Sequence, residues 1–124
     1  MRLGWTYLYL EHLHVVLSEP DDNGAVVIVN CSHHEDNRDQ SCVIEIGEHT
    51  AIHKRTIIYY AGAEIFTPER QRDFLRIAQR KDDVSYDLLV RIVEGTDSDF
   101  IPAKARKAVE ASWRTSPAQK PAAE

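Results

Sequence analysis

Two periods divide the chain. Up to about residue 66 the apolar positions alternate or fall in short blocks. Leu13, Val15 and Leu17 alternate with His12, His14, Val16 and Ser18, a period of two that fits a half-buried strand. Ala25 to Asn30 (AVVIVN) is an apolar, β-branched run of the kind found in central strands. Cys42 to Ile46 alternates again and stops at Gly47, and Arg55 to Tyr60 (RTIIYY) is a further strand closed by Ala61-Gly62-Ala63. Trp5 to Leu10 reads as a strand, although WTYLYLEHLHVVL also fits a helix. Between these runs, Glu19 to Gly24 is a dense turn signal ending in Asn-Gly, and the polar, acidic stretch from Ser32 to Gln40 predicts a loop.

From Thr67 the period becomes helical. Thr67-Pro68-Glu69 supplies an N-cap, a proline at the first helical position and an acid in the first turn. Phe74, Ile77 and Ala78 then share one face, with Arg70, Arg72, Arg76 and Arg80 mostly on the rest. Ser85 can cap a second helix carrying Leu88, Leu89, Ile92 and Val93, ended by Gly95. Pro102 can open a third, with Ala105, Ala108, Val109 and Trp113. The expected class is α+β: a small β-barrel or sandwich over residues 1–66, two or three C-terminal helices packed on it over 67–114, and a disordered tail over 115–124.

Composition narrows the function only modestly. The chain has 124 residues, 43% of them apolar, with a formal net charge of −5, which suits one small globular unit. No apolar run approaches the roughly 20 residues a membrane span needs, and Met1 to Leu10 lacks the order of a secretory signal. With only Cys31 and Cys42, a disulfide scaffold is excluded and the expected compartment is the cytoplasm. The charge is uneven. Residues 1–50 hold two arginines against nine acids, a net −7, whereas residues 51–124 carry 13 Lys/Arg against 11 Asp/Glu, a net +2. Any anion-binding surface must therefore draw on the second part.

The segments HLHVVLSEP (12–20), VVIVNCS (26–32), SCVIEIGEH (41–49) and KRTIIYYAGAEI (54–65) together resemble the core of the bacterial PemK/MazF-type toxins. The resemblance covers about residues 5–66 and rests on the order of these segments rather than on a compact motif. It implies an SH3-like barrel, a homodimer, an antitoxin protein as partner, and cleavage of single-stranded RNA without a metal or other cofactor. The family uses an arginine just before the Val-Val strand and a hydroxyl residue after the next strand. Those positions fall on His12 and Ser32, so a histidine stands where the family has arginine. Arginine stabilises a pentacoordinate phosphate by charge alone, whereas histidine does so only when protonated, or acts as a base.

All six histidines lie between His12 and His53, and three readings of them stand open. In the first, His12 and His14, two apart and so on one face of a strand, join Ser32 as the catalytic group of a ribonuclease. Lys54 and Arg55 then neutralise the phosphorane, His33 and His49 help hold substrate, and Tyr59, Tyr60 or Trp5 stack bases. In the second, His12-x-His14 and His49-x3-His53 provide four metal ligands, with Asp36, Asp39 or Cys42 as further donors. In the third, the histidines are hydrogen-bonded structural groups and the chain is a non-catalytic barrel that binds a protein or ligand. Cys31, beside Ser32, is a further nucleophile candidate.

Overall fold

The computed structural model describes residues 1–35 and 39–115. Along the chain run β1 (Thr6–Tyr9), β2 (His12–Val16), β3 (Val26–His33), β4 (Val43–Ile44), β5 (Thr56–Phe66), α1 (Pro68–Leu75), β6 (Gln79–Lys81), α2 (Tyr86–Glu94), a 3-10 turn (Gly95–Asp97) and α3 (Ala103–Thr115). The class is α+β. The strands form one antiparallel sheet in the order β4-β5-β3-β2-β1-β6, curled into half a barrel. Among the described residues no helix is long and apolar enough to cross a membrane.

Alternation along the strands sends side chains to two separate cores. One face contributes Leu13, Val15, Val27, Val29, Ile58 and Tyr60, which pack against Leu88, Leu89 and Ile92 of α2 and Ala105 and Val109 of α3. The Tyr60 hydroxyl, buried in this cluster, donates to the Ile92 carbonyl at 2.6 Å and ties β5 to α2. The other face contributes Tyr7, Val16, Val26, Ile28 and Phe66, covered by Phe74 of α1.

Several expectations are met in detail. The ambiguous Trp5–Leu10 segment is a strand, and Thr67 and Ser85 cap their helices by accepting from the amides of Arg70 and Leu88. Others are corrected. β3 continues through Ser32 and His33 into the stretch expected to be loop, because both residues pair with β5. α1 stops at Leu75, so Ile77 is 62% exposed instead of sharing the buried face of Phe74. The chain after it becomes β6, paired with β1 through Thr6–Lys81, Tyr7–Arg80 and Leu8–Gln79, with the Arg80 guanidinium 3.4 Å above the Trp5 ring. A contact some 75 residues away in sequence thus outweighs the local helical period. Of the expected tail, Thr115 is the last residue of α3, and residues 116–124 lie outside the described residues, as does Asp36.

Candidate functional site

β1 and β2 join through a two-residue hairpin, Leu10-Glu11, with φ of 49° and 68°. This is the left-handed pair that a tight hairpin of primed type demands and that Asn-Gly normally supplies. Here it is met by two residues with side chains, at a cost of roughly 1–3 kcal/mol each. The hairpin delivers His12 to the first position of β2, directly opposite Tyr9.

The β2–β3 register sets His14 opposite Asn30 and Val15 opposite Val29. The ladder ends at His14 and Asn30, and His12 and Ser32 lie two residues beyond it on their strands. At this end of the sheet a surface cleft of about 200 Å³ opens, and it is lined by Glu11, His12, Ser32, His33, His53 and Lys54, among others. Its floor is apolar, with Leu8, Leu13, Cys31 and Ile52. Four stretches of chain therefore converge: the first hairpin, β2, the end of β3, and the 51–54 segment leading into β5. Lys54 is exposed and has no ion-pair partner among the described residues, so a cation stands in the cleft.

The segment bearing His53 and Lys54 is held from behind by His49. His49 is buried; its Nε2–H donates to the Asp82 carbonyl at 2.5 Å, with the Thr6 hydroxyl 3.4 Å away. Its Nδ1 accepts from the Ala51 amide at 3.0 Å. Both ring nitrogens are thus committed to backbone groups, which fixes the neutral Nε2–H tautomer. The His49 ring therefore sits between β1, Asp82 and its own turn, and does not line the cleft.

Two more expected site residues lie elsewhere. His14 lines a separate hollow on the outer face of the sheet, against Tyr9 and Phe74 at ring separations of 5.6 and 5.3 Å. Its Nδ1 donates to the His12 carbonyl at 2.9 Å, and burial holds its pKa below the usual histidine value. His14 therefore does not line the cleft with His12. Arg55 turns to Glu45, with Nε 3.0 Å from the carboxylate, and does not line the cleft.

The four histidines of the metal reading are thereby dispersed: His12 and His53 at the cleft, His14 in the outer hollow, His49 locked in the interior. Among the described residues no group of three or more His, Cys, Asp or Glu is placed to hold a metal ion. Cys31 belongs to the core, and burial pushes its thiol up to about 12. Burial raises Cys42 too. Neither thiol carries the thiolate that nucleophilic attack needs.

His53 lines the cleft beside Lys54, whereas its spacing from His49 pointed only to a metal ligand. Its adjacency to Lys54 was the available signal. Glu11 and Thr56 also line the cleft without having been singled out. No protein-family model, curated protein or solved structure matches this chain.

Proposed function

We propose that this chain is a toxin-like, SH3-like barrel of the PemK/MazF kind that cleaves single-stranded RNA at the cleft between His12, Ser32, His53 and Lys54. The observation that carries the reading is the convergence on one cleft of three histidines, a hydroxyl and an ammonium without an ion-pair partner among the described residues, all from separate stretches of chain. Antitoxin pairing and homodimer assembly belong to the same proposal and rest on the resemblance alone.

These residue types suffice for transesterification. A neutral His12 takes the proton of the ribose 2′-hydroxyl, and the freed oxygen attacks the adjacent phosphorus. As the new 2′-O–P bond forms, the P–O5′ bond breaks, and a protonated His53 gives its proton to the departing 5′-oxygen. The products are a 2′,3′-cyclic phosphate and a 5′-hydroxyl end. The Lys54 ammonium offsets the charge that builds on the phosphorane, and the Ser32 hydroxyl donates to a non-bridging oxygen. Histidine suits both proton transfers because its unperturbed pKa lies near neutrality. In this arrangement Lys54 supplies the cation that the resembling family takes from arginine.

One observation favours the rival, a barrel that binds without chemistry: the rings of His12, His33 and His53 are oriented by no hydrogen bond among the described residues. Induced expression separates the two. Growth arrest with RNA degradation, abolished in His12→Ala and His53→Ala, supports the nuclease; unimpeded growth with intact RNA supports the rival.

A further inference from the structure

The outer hollow beside the cleft has features that core packing does not require. It holds about 180 Å³ and is lined by Tyr9, His14, Asn30, Glu64, Arg70 and Phe74, with Ile28, Gly62 and Phe66. Its wall is aromatic: Tyr9 stacks on Phe74 at 4.5 Å, and Phe66 meets Phe74 edge-on at 5.4 Å. The Asn30 carboxamide makes no hydrogen bond among the described residues. Beside it the β3–β5 register shifts between Ile28 and Asn30, leaving Gly62 in the irregular stretch of β5. Gly62 has no left-handed φ, so its backbone does not demand glycine. Space does: a Cβ there would lie 2.6 Å from Asn30 Oδ1 and 2.8 Å from the Tyr59 ring. Gly62 thus lets the Asn30 carboxamide lie against β5, and a side chain there would displace Asn30 from the hollow.

The polar rim has a definite pattern. His14 spends Nδ1–H on the His12 carbonyl, so Nε2 presents a lone pair. Glu64 offers carboxylate oxygens, and Asn30 offers both a carbonyl and an amide. Arg70, 3.5 Å from Glu64 and 4.6 Å from the Phe66 ring centroid, offers donors. Paired acceptors next to donors above an aromatic wall match the Watson–Crick edge of guanine, whose N1–H and N2–H₂ donate to one carboxylate while O6 accepts. The hollow also has a fixed relation to the cleft. His12 and His14 are two apart on β2, and Ser32 and Asn30 are two apart on β3, an offset of about 7 Å along each strand.

We infer that the hollow between His14, Asn30, Gly62 and Glu64 binds the guanine base of a single-stranded RNA whose neighbouring phosphate occupies the His12–Ser32 cleft. The inference rests on the RNA reading of that cleft, and it names the base that fixes where cleavage occurs.

Titrating the purified full-length protein with the four nucleoside 5′-monophosphates, followed by the amide NMR signals of Asn30 and Gly62, tests it without any cleavage. GMP is expected to bind at least tenfold more tightly than AMP, CMP or UMP. Asn30→Ala and Gly62→Ala are expected to remove that preference, while Lys107→Ala, exposed on α3, keeps it. Asn30→Ala serves as the decisive variant should Gly62→Ala not fold, with thermal unfolding as the check. Equal binding of all four nucleotides, no binding, or a preference unchanged in Asn30→Ala overturns the inference. GMP selectivity in a protein that leaves RNA intact keeps the base site and discards the nuclease reading. RNA cleavage without GMP selectivity does the reverse.

Discussion

At the scale of single residues, the histidines divide by what their nitrogens touch. His49 has both committed to backbone groups in a buried place, so His49→Ala strands the Ala51 amide and leaves the Asp82 carbonyl to the Thr6 hydroxyl alone. The expected cost is about 1–3 kcal/mol, measurable by urea unfolding, and a loss below 0.5 kcal/mol would contradict the lock. His14 makes a prediction about pH. Burial lowers its folded pKa below 6.5, so as pH falls through 6.5 the unfolded chain takes up the proton first. The stability His14 contributes is therefore full above that value and declines below it until the folded ring is also protonated. Stability of wild type relative to His14→Phe should thus fall between neutral pH and pH 5; a flat difference would refute the lowered pKa of the half-buried His14. None of this division was readable beforehand. Spacing showed that His12 and His14 share a strand, but not that one sits at the rim while the other is clasped under Phe74.

At the scale of elements, the Leu10-Glu11 hairpin is a point of stored strain next to the cleft. Replacing it by Asn-Gly supplies residues that tolerate positive φ, so Leu10→Asn/Glu11→Gly should raise stability by about 1–2 kcal/mol, read as an upward shift in Tm. An unchanged or lowered Tm would contradict the assigned turn. The helix signals were local and therefore legible: Thr67-Pro68-Glu69 and Ser85 are caps whose partners lie three residues away. β6 was illegible for the opposite reason. Its identity depends on β1 and on Arg80 meeting the Trp5 ring, and a three-residue polar strand carries no period of its own. The turn over residues 19–24 was legible because Asp21 caps it from within, its Oδ1 accepting from the Asn23 and Ala25 amides.

At the scale of the molecule, the sheet and the later helices share one core: Ile92 of α2, fully buried, packs in the same cluster as Val15 and Val29. Residues 1–66 alone would lack α2, α3 and the edge strand β6. Such a fragment should show no cooperative unfolding transition, whereas the full chain should; a fragment that melts cooperatively would show the strands to be self-sufficient. The α+β class followed from the change of period at Thr67, because period reports local geometry. The cleft did not, since nothing in the order of residues says that the 51–54 segment folds back over the ends of β2 and β3. The most direct test of the account is cleavage of a synthetic single-stranded RNA by the purified protein, run beside the same oligonucleotide bearing a 2′-deoxyribose at the cut position. Acid–base catalysis by His12 and His53 predicts 2′,3′-cyclic phosphate and 5′-hydroxyl ends, no cut in the deoxy substrate, and a loss of roughly 10²–10⁴-fold in His12→Ala or His53→Ala. Intact RNA with the wild-type protein, or equal cleavage of the deoxy substrate, would contradict it.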